Sequence, residues 1–569
     1  MKRVAIAAAV VAALTAASGP ERWFADVTQD SGIAFKHTNR AFDNEYAHIM
    51  AGYTALGAAA AVADYDSDGF DDLLLTDSSA TGRNRLFRNN GRKNGSFGFT
   101  DVSDKVALPT GNDENNATAD AMWFDYNNDG APDLFIPRFG HSLLLANRNG
   151  KFQDVTKAAG LGVYANAITS IAFDYDCDGD LDLLVGSYFQ PINIFKPGTP
   201  RFFPESFETA NNGGGLTLYR NNNDGTFTDV TEKAGLRQSG WVLDLGHADA
   251  DNDGDEDLYA AADFGTDRIY RNNGDGTFTD ITEATIGLDT KKGMNVDWGD
   301  YDNDGLLDIY VTNITDEYMR EGNFLWRNTG DLKFSDVARE TGAHDTGWGW
   351  GAKFFDVDND TWLDLYVMNG WVSAGKESYV PDVFQMITRP NVDFADARSW
   401  PPMGSKSLSG YQKKRLFHNE RGQIFKDVAP RHGLDSVRDG RGIAVADFDN
   451  DGRLDIVTAN ANGEPYVYRN QSPNGNRWIQ FHLKSTDGNR AAIGAQVRLT
   501  AAGKTYLRYI SGGNSFAGQS TNRVHFGLGT AGTIDSVEVR WPCGKRETYS
   551  GLAPGKLHEL VEGKGKQNR

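Results

Sequence analysis

Short apolar or alternating runs recur along residues 22–470, separated by glycine, asparagine and aspartate rather than by helical spacing. The run Ala167-Ile-Thr-Ser-Ile-Ala-Phe173 feeds an acidic loop, and Leu307-Asp-Ile-Tyr-Val311 leaves another. A third run follows, as in Arg268-Ile-Tyr-Arg-Asn272, and a fourth, as in Phe278-Thr-Asp-Ile281. The third type recurs around Leu86, Leu144, Leu218, Leu325, Leu416 and Val467. The fourth recurs at Phe99, Phe152, Phe227, Phe334 and Phe425, which leaves the last unit without one. The missing copy precedes the first loop, at Phe24-Ala-Asp-Val27.

Four short strands per unit, with an N-terminal strand free to complete the last unit, predict an all-β fold. The expected architecture is a seven-bladed β-propeller over 22–470, closed by that N-terminal strand. After Asn470 the pattern changes. Alternating runs at Arg477–Leu483, Ala495–Leu499, Lys504–Ile510, Arg523–Phe526 and Ile534–Trp541 predict a small C-terminal β-sandwich over 477–560, followed by a basic tail at 561–569. Long additions at 187–215 and 370–414 read as ordered, irregular connections on one face, opposite the acidic loops.

The acidic loops carry the strongest chemical signal. Oxygen-bearing side chains stand at loop positions 1, 3, 5 and 9, usually with glycine at 6. The candidate ligands are Asp64, Asp66, Asp68 and Asp72; Asp125, Asn127, Asp129 and Asp133; and Asp174, Asp176, Asp178 and Asp182. They continue with Asp249, Asp251, Asp253 and Asp257; Asp300, Asp302, Asp304 and Asp308; Asp356, Asp358, Asp360 and Asp364; and Asp447, Asp449, Asp451 and Asp455. Such clustered oxygens suit a hard cation, and up to seven structural Ca2+ ions are expected. An EF-hand is excluded, because position 12 is apolar or threonine rather than glutamate and the flanks read as strands. Thr361 replaces glycine in the sixth loop.

Composition adds compartment and charge. Hydrophobic residues make up 39% and charged residues 24%, as in a soluble globular chain, and the formal charge is -21. Seven divalent ions would offset about two thirds of it. No concentrated lysine and arginine surface points to nucleic acid, and no late segment is apolar enough to span a membrane. Met1-Lys2-Arg3 and the apolar run that follows read as a signal peptide over 1–18, so a secreted or periplasmic protein is expected. The two cysteines, Cys177 inside the third loop and Cys543, leave a bridge and free thiols both open.

The full loops, taken with Gly494-Ala-Gln-Val497, Ser511-Gly-Gly-Asn-Ser515, Gln519-Ser520, His525-Phe-Gly-Leu-Gly529 and Val539-Arg-Trp-Pro542, resemble secreted FG-GAP or VCBS-repeat proteins with a C-terminal ASPIC/UnbV domain. These are the cartilage acidic protein-like family. The resemblance implies an extracellular calcium-binding architecture and supplies no reaction.

Function is expected on the face opposite the loops, where the units differ. An extracellular glycan, protein or small molecule is the expected partner, with no nucleic acid. Trp241, Trp348 and Trp350 either stack on a flat ligand or fill the core. The alternative is a cofactor-independent lyase, isomerase or cyclase. In that reading Glu45, His48, His344 or Asp345 transfers protons, while Lys292, Arg438 or Arg441 stabilises anionic charge. A structural scaffold is a third reading, favoured if packed protein fills the central opening. No nucleophile elbow, phosphate loop, dinucleotide loop or histidine zinc motif is present.

Overall fold

The computed structural model describes residues 22–50, 57–92, 96–393, 396–473, 475–513 and 515–567. The signal peptide expected at 1–18 lies outside them. Each repeat folds as an antiparallel sheet whose first two strands flank the acidic loop. In the fourth repeat these are Val242–Ala248 and Asp257–Ala262, followed by Arg268–Asn272 and Phe278–Asp280. The strand Phe24–Asp26 pairs with Tyr466–Asn470 in the sheet of the last repeat.

The expected seven-bladed β-propeller with a separate sandwich is corrected here to an all-β, largely antiparallel multi-sheet architecture. Among the described residues no sheet closes on itself, and the sheets are not a uniform set of four-stranded units. The third repeat has six strands, because Ala117–Thr118 and Arg138–His141 join its edge. The first repeat takes a fifth, parallel strand, Gly518–Gln519, from the C-terminal region. The sequence repeat specifies pairing within a unit; it carries no information about which foreign segment occupies an edge.

Neighbouring sheets are joined by asparagine. The buried asparagine that ends each third strand donates through Nδ2 to the carbonyl of loop position 2 in the preceding repeat. The pairs are Asn147 to Tyr65, Asn221 to Tyr126, Asn272 to Tyr175, Asn328 to Ala250, Asn419 to Tyr301 and Asn470 to Val357, at 2.7–2.9 Å. Asn89 makes the same bond to Phe448, from the first repeat to the last. Each satisfies a backbone carbonyl that burial would otherwise leave unpaired.

The C-terminal region forms a three-stranded sheet (Val524–Gly529, Arg477–Lys484, Leu557–Val561) and a five-stranded sheet that ends in Lys566–Gln567. Its core residues Phe481, Val497, Phe526 and Trp541 belong to one apolar cluster with Phe124, Phe135 and Leu183 of the repeats. A disulfide between Cys177 and Cys543 ties the third acidic loop to this region across 366 residues.

The segment between those two sheets threads among the first strands of the repeats. Gly512 accepts from Ala172 N and donates to His247 Nε2, both at 2.8 Å. Phe516 N donates to Asn295 Oδ1, Gln519 exchanges two bonds with the Trp123 backbone, and Ser520 Oγ accepts from Val445 N. Glycine is required on this path: a Cβ on Gly512 would stand 1.7 Å from Ala172 O.

Candidate functional site

The acidic loops are shaped before any ion is considered. In the first loop, Asp64 accepts from the N–H groups of Asp68 and Gly69 at 3.0 and 2.9 Å. The ninth-position Asp72 accepts from Tyr65 N through one oxygen and from Asn89 N through the other. Asp182, Asp257, Asp308, Asp364 and Asp455 repeat this double bond. Asp133 instead accepts from Asn147 N and Asn127 Nδ2. Loop position 4 is left-handed in every copy, at φ 53–64°, which suits its usual asparagine. Position 6 has φ 84–117° and is glycine except for Thr361, which adopts φ 90°.

Several of these clusters are able to chelate a metal ion. Asp64, Asp66 and Asp72, and likewise Asp174, Asp176 and Asp182, bring three ligand oxygens within 4.8 Å of one another. Related groups are Asp249 with Asp251 and Asp253, and Asp300 with Asp302 and Asp304. In the sixth loop Asp358 and Asp360 meet His418. Burial raises Asp64 to about 6, Asp174 and Asp447 to about 7 and Asp72 to about 9, and neighbouring carboxylates add to each shift. The donor set fits a hard cation on a further observation. One oxygen each of Asp66, Asp176 and Asp249 is buried without a hydrogen-bond donor.

Two sets of basic residues face the loops, and the sequence reading found neither. In the first, fifth and seventh repeats the arginine of the third strand reaches positions 3 and 5 of its own loop. Arg88 meets Asp66 and Asp68 at 2.5 and 2.6 Å, and Arg327 and Arg469 act likewise. The recurrent Arg-Asn doublet was the available signal. The C-terminal region supplies the second set. Arg540 pairs with Asp249, Arg523 donates to Asn450 and Gly69 O, and Arg498 donates to Asn252. His525 bonds Asn359 at 2.6 Å, and the Cys177 bridge is made from the same loop position. Position 4, usually asparagine, is therefore a recurrent point at which the C-terminal region docks.

At the strand ends remote from these loops lies an apolar cavity of about 360 Å³. Tyr188, in the strand Asp182–Phe189 that leaves the third loop, contributes one wall. The long connection after Asp364–Asn369 supplies another. Within it, Val380–Ile387 is an eight-residue helix with Pro381 in its first turn, where the sequence suggested irregular loop. Val380, Val383, Phe384 and Ile387, at i, i+3, i+4 and i+7, face the cavity. Trp371, Tyr379 and Trp400 line it too, as do Tyr318 and Met319 from the hairpin Thr315–Asp316 and Met319–Arg320. These were not singled out in sequence, where only their aromatic density was visible.

Trp348 and Trp350 line the cavity, and Phe516 of the threaded segment packs on Trp350 at 5.3 Å. Trp241 is core: it is fully buried against Tyr188, Phe189 and Phe264. Among the seven ionisable candidates, Lys292 alone lines the cavity, paired with Glu321 at 2.9 Å. Glu45 accepts from Gly198 N, and His48 Nε2 contacts Trp400 O. His344 lies between Asp345 and Arg339, while Arg438 pairs with Glu464 over the Tyr466 ring. Arg441 is buried and donates to the carbonyls of Gly370, Gly440 and Trp371. Among the described residues no helix is long and apolar enough to cross a membrane.

Comparison with known proteins matches FG-GAP-like repeats at 64–136, 125–185, 207–260, 249–311 and 407–458, and the ASPIC and UnbV family at 485–567. Cartilage acidic protein 1 of Homo sapiens is 26% identical over 54% of this chain and 41% of its own length. The Xenopus tropicalis protein of the same name is 27% identical over 55% of this chain and 43% of its own. The chain thus spans about two fifths of the curated relatives it matches. Among solved structures, an Agrocybe aegerita lectin that recognises non-reducing terminal N-acetylglucosamine aligns over 72% of this chain and 87% of its own, at 17% identity. Its TM-score of 0.36 is too low to argue from.

Proposed function

We propose that this chain, which carries FG-GAP-like repeats and an ASPIC and UnbV region and is homologous to cartilage acidic protein 1, is an exported binding protein braced by calcium. The loops take up to seven ions, each held by the oxygens of positions 1, 3, 5 and 9. The observation that carries this reading is the set of buried carboxylate oxygens on Asp66, Asp176 and Asp249 that no protein donor reaches. Bound calcium offsets the repulsion within each loop and stabilises the folded state by mass action. The arginines of the C-terminal region neutralise what charge remains on that side.

The opposite side, where the connections are long and unlike, binds an extracellular ligand. Purified protein should retain several calcium ions per chain by elemental analysis, and chelation should lower its Tm by more than ten degrees, reversibly. Protein that contains no calcium and is indifferent to chelator would overturn the reading.

A further inference from the structure

The cavity at the far strand ends is built for one kind of ligand. Its walls are aromatic and aliphatic, and its rim is apolar too: Phe207, Phe384 and Ile387 are 40–49% exposed. Sugars are a poor match, because each hydroxyl taken out of water needs a partner. The hydroxyls in the wall are already committed. Tyr188 donates to Asp263, Tyr318 bonds Ser409 at 2.6 Å, and Tyr379 donates to Pro401 O at 2.5 Å.

Charge is matched internally as well. Lys292 is paired with Glu321 and donates to Thr290 O, and Asp263, the acid in the wall, holds the Tyr188 hydroxyl. Two polar groups are left over. The indole N–H groups of Trp348 and Trp350 are buried and meet no acceptor among the described residues. Both residues line the cavity and are at most 7% exposed. Both nitrogens are closed to contact by anything the size of water, so neither donor is offered to a molecule in the cavity and its walls hold a ligand by apolar contact.

We infer that the cavity binds an uncharged, ring-bearing apolar small molecule, held by its aromatic and aliphatic walls. This rests on reading the far side as the binding surface, and it narrows the ligand from glycan, protein or small molecule to one class. Phe516 packs against Trp350, one of the lining residues, so the C-terminal region supports the wall of the site.

The test uses full-length, calcium-loaded protein and two neutral fluorescent probes. One is 6-propionyl-2-dimethylaminonaphthalene, which has a ketone; the other is N-phenyl-1-naphthylamine, which does not. Both should bind saturably at one site. Met319→Trp, which fills the cavity from a half-buried hairpin position, should abolish binding of both while calcium content and Tm hold. N-acetylglucosamine, cellohexaose and choline should displace neither probe.

Absence of saturable binding in protein that retains its calcium and Tm would overturn the cavity assignment and leave the calcium reading standing. Displacement by a sugar or by choline would overturn the ligand class.

Discussion

Asn89 donates 2.9 Å to the carbonyl of Phe448, 359 residues along the chain, and 3.0 Å to Asp71 O from the same nitrogen. Its Oδ1 accepts from Gly91 N. Alanine at this position would leave two carbonyls and an N–H buried and unpaired. Asn89→Ala is therefore expected to cost about 2–4 kcal/mol in denaturant unfolding, although it removes no apolar area. A loss under 0.5 kcal/mol would mean that the asparagine contacts are incidental.

Within a loop, positions 5 and 9 should fail differently. Asp72 is fully buried and holds two backbone N–H groups, whereas Asp68 is largely exposed and pairs with Arg88. Asp72→Ala should destabilise by about 2–4 kcal/mol even in saturating calcium. Asp68→Asn should weaken calcium binding and recover full Tm when calcium is raised. Thermal melts across a calcium titration separate the two.

The bridge between Cys177 and Cys543 closes a separation of 366 residues. Reduction, or the paired serine variant, should lower stability by about 2–5 kcal/mol. The arginines of the C-terminal region should hold it in place even then. Limited proteolysis of the reduced protein should release no free C-terminal fragment at neutral pH and low salt.

Acid should act through His37. The ring is buried, with Nδ1 accepting from Asn462 N and Nε2 donating to Ser78, so the neutral form is built into the fold. Burial, reinforced by Arg441, lowers its pKa from 6.5 to about 3. Between those values the unfolded chain binds the extra proton. The histidine's contribution is complete above pH 6.5 and is lost as pH falls toward 3, at up to about 1.4 kcal/mol per pH unit. His37→Gln should flatten the dependence of Tm on pH between 6.5 and 4 in excess calcium. An unchanged slope would assign acid sensitivity to other groups.

The repeats were legible because their information is local. A loop whose first aspartate meets the N–H four and five residues on, and whose ninth closes on the next strand, prints the same spacing each time. What lay outside that spacing was missed. Ser511–Ser515 and Gln519-Ser520 stand out in the sequence only as motifs of a family resemblance, since the partners of this segment, Ala172, His247 and Asn295, are distant in sequence. The idea of closed, uniform blades failed at the edges, where Gly518–Gln519 and Ala117–Thr118 take pairing positions that no periodicity announces.

Candidate chemistry was least legible of all. Glu45, His344 and Arg438 were chosen by residue type, yet each has a neighbour of its own and none lines the cavity. Trp371 and Trp400 line it from one long connection, and only folding brings them beside Met319.

The threaded segment also sets a timetable. A ribosome makes residues 24–470 well before residue 512, so the first strands of the repeats must wait with backbone groups unanswered until Gly512, Phe516 and Gln519 arrive. A chain lacking residues 512–519 therefore keeps those backbone groups unanswered, and the inner strands become the least protected part of the repeats.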